Sequence, residues 1–335
     1  MLPHWSRFTL LSLLLLPLAG LFNLLVRMRR FAYSRGLVHS FAVGVPVIVV
    51  GNITAGGSGK TPLVIWLVNW LITQGMRPGV ISRGYGGHAR HCMEVQTDSA
   101  AAEVGDEPLL IHDKTQVPVV IGRDRVAAAR TLLAQHPTVN ILVSDDGLQH
   151  YRLQRQLELA VVDAGTGYGN GLPLPAGPLR EPLSRLRRVD AVIHIFRGDT
   201  KQAEPPQTYR ADYTLGHAYR LLARDEKIAI ANMSRGPWLA VTGIGNPQGF
   251  YAMLTQLGWT FEPKSFPDHY AFAAQDVPSD KPVVMTEKDA VKCAAFARPD
   301  WWALELEVRP DEKLIAFLRA SIKTLSQQER ACPPR

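Results

Sequence analysis

Cysteine is scarce in this chain of 335 residues: there are three, far apart at Cys92, Cys293 and Cys332. An odd count without C-x-x-C spacing excludes a disulfide framework and a zinc-cysteine site. Cys332 stands in the terminal "ACPPR", which is not a prenylation box. Internal repeats and low-complexity tracts are missing as well, so nothing points to a solenoid or a disordered tail. Acidic residues fall short of basic ones, 30 against 37, for a formal net charge of +7. That balance suits nucleic acid, an anionic membrane surface or a phosphorylated substrate, and does not choose among them. The length predicts two domains at roughly 150 residues each.

Charge is also missing from one long stretch, "FTLLSLLLLPLAGLFNLLV", nineteen residues from Phe8 to Val26. A helix needs roughly 20 apolar residues to span a bilayer. His4 and Arg7 precede the run, whereas Arg27, Arg29, Arg30 and Arg35 follow it. The asymmetry puts the following chain on the cytoplasmic side and is the reverse of a cleaved signal peptide. Residues 1–30 are therefore expected to form a membrane anchor with a basic flank. The anchor is either a true span or, given Pro17 and Asn23, a shallow interfacial helix.

Beyond the flank, apolar runs alternate with helical segments. "VPVIVVGN" reads as a strand buried on both faces, and "PLVIWLVNWLITQG" as a helix closed by Gly75. "PGVIS", "VPVVIG", "VNILVSDDG", "LELAVVDA" and "VDAVIHIF" continue the pattern, with "DRVAAARTLLAQ" as a helix between. This predicts an α/β fold of the P-loop NTPase type, a doubly wound and mostly parallel sheet, over residues 31–204. The Pro/Gly-rich "GNGLPLPAGPLREPL" at 169–183 is too long for a tight turn and reads as a functional loop or cover. "GDTKQAEPPQTYRADYT" reads as a polar linker or edge segment. Two strand–helix units, a last strand "WWALELEV" and an amphipathic closing helix then predict a second, smaller α/β domain over 205–335.

Chemistry concentrates in "GNITAGGSGKTP", residues 51–62. The standard phosphate loop is G-x-x-x-x-G-K-[ST], and here Thr54 stands where the first glycine belongs. Thr54 fits there if the turn keeps φ negative. Thr54, Ala55, Gly56, Gly57, Ser58, Gly59, Lys60 and Thr61 would line a bound triphosphate. Backbone N–H groups and the following helix N-terminus supply positive charge. Lys60 would reach the β- and γ-phosphates, and the Thr61 hydroxyl would ligate Mg²⁺. An acidic partner is required at a nearby strand end, and "ILVSDDG" supplies Asp145 and Asp146. Adjacent strand residues point to opposite faces, so one of the two is expected to face the metal directly. "TEKD" at 286–289 comes near the guanine-reading N-K-x-D, but Lys288 and Asp289 are adjacent, so ATP is the expected nucleotide. Charge neutralisation could come from Arg83, Arg123, Arg125 or Arg180, and a base from Asp106, Glu107 or His269.

Taken in order, "GNITAGGSGKTP", "SRGYGG", "GDEP", "SDDGLQH", "GPLREP" and "FPDHY" resemble the tetraacyldisaccharide 4′-kinases of lipid A biosynthesis. The resemblance covers most of residues 45–270, and that family has Ser or Thr at the place of Thr54. It implies transfer of a phosphate from ATP to the 4′-hydroxyl of a tetraacylated glucosamine disaccharide 1-phosphate held in the inner membrane. By motif it implies Lys60 and Thr61 at phosphate and metal, and Asp146 at the metal with Asp145 beside it. Asp106 and His269 are implied to be an acid–base pair, with Arg180 and Glu181 near the phosphates or metal. His150 matches "DDGLQH" without an implied step. The expected partners are the glycolipid and an anionic membrane surface, with no nucleic acid. A second reading is a membrane-associated switch ATPase, since "AGGSGKT" resembles the K-G-G-x-G-K-[ST] loop of partition-type ATPases. Ala55 stands where their extra lysine would be.

Overall fold

Thirteen strands form one sheet in the computed structural model, which describes residues 3–89, 91–197, 208–277 and 281–331. They are β1 (Val47–Gly51), β2 (Pro78–Ser82), β3 (Met93–Glu94), β4 (Val119–Ile121), β5 (Ile141–Asp145), β6 (Leu157–Asp163) and β7 (Ala191–Arg197). There follow β8 (Tyr209–Arg220), β9 (Ala223–Ala229), β10 (Trp238–Thr242), β11 (Phe261–Ser265), β12 (Val283–Thr286) and β13 (Trp301–Pro310). Their order is β11-β10-β12-β13-β8-β7-β6-β1-β5-β2-β4-β3, with β9 paired to β8 off this path. Pairing is mostly parallel, and the central strands are buried end to end, as their continuous β-branched runs require.

The helices are α1 (Pro3–Ser6), α2 (Leu10–Leu14), α3 (Leu16–Ser34), α4 (Lys60–Thr73), α5 (Ala101–Val104), α6 (Asp106–Thr115) and α7 (Arg125–Gln135). In the second half they are α8 (Pro247–Gln256), α9 (Glu287–Cys293) and α10 (Glu312–Ala331). Local chemistry sets several boundaries. The Asp124 carboxylate caps α7 by accepting from the N–H groups of Val126 and Ala127. Gly75, just beyond α4, takes φ +78, a value that favours glycine.

The sequence read 198–214 as a linker or edge; its residues from 208 onward belong instead to the middle of the sheet. β8 pairs parallel with β7 and antiparallel with β13, so it carries one sheet from the first half of the chain into the second. Its inward positions, Ala211, Tyr213, Ala218 and Tyr219, are buried while polar residues fill the gaps, and that mixture hides a strand from a hydropathy reading. The expected domain boundary at 204/205 lies outside the described residues, as does Cys332. One apolar cluster joins both halves, with Leu63, Leu67 and Leu71 of α4 beside Ala211, Tyr213, Leu314 and Leu318.

The N-terminus corrects a second expectation. No helix among the described residues is long and apolar enough to cross a membrane. The charge-free run is divided at Leu15 between α2 and α3, and α3 continues past Val26 through Arg27, Arg29 and Arg30. Pro17 sits in the first turn of α3, where a missing N–H costs nothing. Ser12 and Ala19 face the protein, whereas Leu10, Leu13, Leu14, Leu18, Leu21, Leu24 and Leu25 are each more than half exposed.

The loop 169–183 meets this N-terminal segment. Trp5 Nε1 donates to the Pro175 carbonyl at 3.0 Å, and Asn170 Nδ2 donates to the His4 carbonyl at 2.8 Å. Further along, Ala55 N–H donates to the Pro178 carbonyl at 2.7 Å, so the loop ties the N-terminal helices to the glycine-rich loop.

Because Leu318 is buried in the cluster shared by both halves, Leu318→Ala should lower stability by about 2–5 kcal/mol. Urea unfolding should show a lower midpoint at unchanged slope, while Leu21→Ala on the exposed face of α3 should stay within about 0.5 kcal/mol of wild type.

Candidate active site

The glycine-rich loop leaves β1 and enters α4, whose N-cap is Gly59 at φ +74. A Cβ at Gly59 would lie 2.6 Å from Arg197 Nη2, and the Tyr213 hydroxyl donates to the Gly59 carbonyl at 2.7 Å. Gly57 packs against Gly245, which follows β10. Strand β8 and the β10–α8 turn therefore hold the loop from the second half of the chain. Thr54 is not among the described residues with positive φ, which is why the turn accepts a side chain there. It bridges to Leu179, and its hydroxyl accepts from Asn52 Nδ2 at 3.2 Å.

β5 ends at Asp145, and Asp146 turns off the strand with φ +48. That left-handed turn breaks strand alternation, so both carboxylates line the same cleft, where the sequence predicted one. Asp145 is 1% exposed; its Oδ2 accepts from Ser82 Oγ at 3.2 Å, and its Oδ1 has no hydrogen-bond partner among the described residues. Burial, with the nearby charges of Glu107 and Asp146, pushes the Asp145 carboxyl up to about 7. Asp146 behaves in the opposite way. Burial disfavours its charge, but Lys60 at 3.4 Å and Arg180 at 3.0 Å outweigh that and hold the carboxyl well below its ordinary range.

Arg180 and Glu181 are neighbours with separate surroundings. Arg180 lines the cleft, whereas Glu181 is not among its lining residues. The Glu181 carboxylate accepts from Gln149 Nε2 at 2.8 Å and from the Tyr151 hydroxyl, and it pairs with Arg185. Through these partners it braces the 169–183 loop outside the cleft lining.

The acceptor side is built from distant pieces. Gly105, at φ +92, turns the chain into α6, and Asp106 opens that helix at 4% exposure. His269, at φ +58 in the loop after β11, meets it: Nδ1 lies 3.0 Å from Asp106 Oδ1 and 3.1 Å from Oδ2. An ionised carboxylate only accepts, so Nδ1 donates and Nε2 is the nitrogen left to accept. The Tyr85 ring stands edge-on to the His269 ring at 4.8 Å. His269 lines the cleft and Asp106 lies behind it. Burial disfavours the Asp106 charge, yet the His269 hydrogen bond with Lys288 and Lys292 lowers its carboxyl overall.

The cleft, of about 410 Å³, thus brings together Gly56 to Thr61, Asp145, Asp146, Arg180 and His269. Thr54 and Ala55 form its approach rather than its wall, and Arg83 and Glu107 also line it. Arg125 does not: it is 2% exposed and donates to the carbonyls of Gly122 and Asp145, clamping the end of β5. Lys288, Arg197, Tyr213 and Asn246 are lining residues that sequence reasoning missed. The available signal was "TEKD", set aside because its spacing fails the guanine motif. Among the described residues no group of three or more His, Cys, Asp or Glu side chains could hold a metal. A cation here would need the Thr61 hydroxyl and phosphate oxygens beside the two aspartates.

Comparison with known proteins agrees with this geometry. Residues 11–323 match the family model described as tetraacyldisaccharide-1-P 4′-kinase. A tetraacyldisaccharide 4′-kinase of Thiobacillus denitrificans is 59% identical over 320 residues, covering 95% of this chain and 97% of that protein. One from Methylobacillus flagellatus is 45% identical, covering 97% and 96%. Among solved structures, the apo form of LpxK from Aquifex aeolicus in complex with ATP superposes with a TM-score of 0.80 at 27% identity, covering 94% of this chain and 99% of that one.

His150, four residues beyond Asp146, is held neutral: burial, Arg125 and Arg83 pull its imidazole down to about 4. The unfolded chain takes up that proton near the ordinary 6.5, so stability should fall as pH drops from 6.5 towards 4. An NMR titration of the ligand-free protein should show His150 neutral until about pH 4, and His150→Gln should flatten that part of the stability profile.

Proposed function

The chain belongs to the tetraacyldisaccharide-1-P 4′-kinase family, and we propose from that premise how its cleft works as an ATP-dependent kinase of a lipid A precursor. The acceptor is the 4′-hydroxyl of a tetraacylated glucosamine disaccharide 1-phosphate. One observation carries the assignment of roles: the Asp106–His269 contact opens on the same cleft as the glycine-rich loop.

The N–H groups of residues 56–61 and the N-terminus of α4 cradle the triphosphate, and Lys60 reaches its terminal phosphates. Lys60 and Arg180, which both pair with Asp146, are within reach of the phosphoryl oxygens and stabilise them as charge shifts. The Asp145 oxygen without a partner and its raised pKa are the signs of a carboxylate short of positive charge, and a divalent cation fits it. Thr61, Asp145 and Asp146 would hold Mg²⁺, with Glu181 too committed to Arg185 and Tyr151 to join them. When bound, the ion neutralises charge on the β- and γ-phosphate oxygens.

The sugar hydroxyl gives its proton to His269 Nε2 as its oxygen attacks the γ-phosphorus. The bond to the β–γ bridging oxygen breaks, and ADP leaves. Asp106 does not face the cleft; it holds the His269 tautomer and offsets the imidazolium charge that forms. The switch-ATPase reading is not favoured, because the family match spans both halves and such a switch has no use for this pair.

The exposed leucines of α2 and α3 beside Arg27, Arg29 and Arg30 support docking on the cytoplasmic face of the inner membrane, with the helix in the interface.

With labelled ATP and the lipid disaccharide, His269→Ala and Asp106→Ala should each lower kcat by roughly 10²–10⁴ with little change in KM for ATP. Wild-type protein that hydrolyses ATP but labels no lipid would sink the kinase reading. Paired Leu21→Glu and Leu25→Glu changes should weaken cosedimentation with anionic vesicles, and unchanged binding would point to another docking surface.

A further inference from the structure

"TEKDAVK", residues 286–292, opens helix α9 with lysines at positions i and i+4, on one face of the helix. The face points at Asp106. Nζ of Lys288 and Nζ of Lys292 each lie 3.8 Å from Asp106 Oδ2, although the helix stands some 180 residues away in sequence. The two lysines differ in what else they hold. Lys288 lines the cleft and is shared with Glu107 at 3.0 Å and Asp268 at 3.5 Å. Lys292 is not among the lining residues and is 8% exposed.

Lys292 is itself fixed from behind. Its ammonium pairs with Asp289 Oδ1 at 2.7 Å and stands over the Phe272 ring at 5.0 Å. Asp289 is fully buried, and its Oδ2 accepts from Thr242 Oγ1 at 3.0 Å and from Thr286 Oγ1 at 2.7 Å. Thr242 ends β10, and Thr286 ends β12 and caps α9. The ammonium is thus set by two strand ends rather than by a flexible surface side chain. Glu287, the residue before Lys288, faces away towards Lys114 and the Leu306 N–H.

We propose that Lys292, held by Asp289, is a positioning residue for the kinase reaction: it fixes the Asp106 carboxylate against His269 Nδ1, so the acceptor side is complete only with α9 docked. The proposal rests on the reading of Asp106 and His269 given above. Lys292 is too deep to touch the substrate and acts through Asp106. The charged groups facing the pair are Lys288 and Lys292 from α9, the neighbouring carboxylate Glu107, and Asp268, whose Oδ1 lies 3.7 Å from His269 Nε2 and 3.5 Å from Lys288; Asp289 acts through Lys292. Loss of one cation from this set makes protonation of the pair easier. The acidic limb of the rate profile, which reports the pair as a unit, then moves to higher pH.

The test compares full-length wild type, Lys292→Met, Lys292→Arg and Asp289→Asn/Lys292→Met with Asp106→Ala as reference. The double variant removes both members of the buried pair, so no lone carboxylate is left inside. We expect kcat for lipid phosphorylation to fall roughly ten- to a hundredfold in Lys292→Met and in the double variant, with KM for ATP within about twofold. The acidic limb of kcat should rise by about one pH unit, and Lys292→Arg should recover most of the loss. A wild-type rate, or a slower rate with an unmoved limb in a protein of normal melting temperature, would overturn the role of Lys292. Full activity in Asp106→Ala would overturn the pair and this inference together, which separates the two failures.

Discussion

A carboxylate at 4% exposure cannot keep its charge unless other groups meet it, and that requirement at Asp106 organises the molecule. Among the described residues, the side chains that pair with it come from the second half of the chain: His269, Lys288 and Lys292. The first half therefore supplies a helix N-terminus with a charge that it cannot satisfy alone. What brings the partners within reach is β8, parallel to β7 on one side and antiparallel to β13 on the other. The continuous sheet is what lets both ends of it build one site.

The donor side depends on a second contact of the same kind. Glycines at 56, 57 and 59 shape the phosphate-binding loop, but its position is held by Tyr213 of β8, by Gly245 and by the carbonyl of Pro178. The last of these belongs to the 169–183 loop, which also grips Trp5 and His4 beside the exposed leucines. The exposed leucines of the N-terminal helices and the glycine-rich loop are thus joined by one short segment. Arg180 rides on that segment to reach Asp146, so it brings a charge as well as a brace.

Much of this could be read before any coordinates. Lys60 and Thr61 follow from a strand–glycine loop–helix pattern, whose chemistry is local. Asp145 and Asp146 follow from an apolar strand that ends in two carboxylates, and α/β architecture follows from alternating runs. The pairing of Asp106 with His269 came from resemblance, since no local rule links positions 163 residues apart. Three readings needed correction for identifiable reasons. The first residues of β8 were read as a linker or edge because buried Ala211 and Tyr213 alternate with polar neighbours. The apolar N-terminus was expected to be able to span a membrane, and it is divided at Leu15. Glu181 was placed with Arg180 near the phosphates or metal by resemblance, and its carboxylate is instead taken up by Gln149, Tyr151 and Arg185 outside the cleft lining.

What the sequence by itself determined is whatever short-range chemistry dictates: the phosphate loop, the acidic strand end, the buried strands, and an apolar N-terminus flanked by arginine. Tertiary structure alone decided which charges meet. "TEKDAVK" has no meaning as a motif until α9 packs against the start of α6, and Asp146 faces the cleft beside Asp145 only because its backbone turns left-handed at the end of β5. The physical reason is range. Propensities and turns act over a few residues, whereas electrostatic partners are chosen by the distances that a folded sheet imposes.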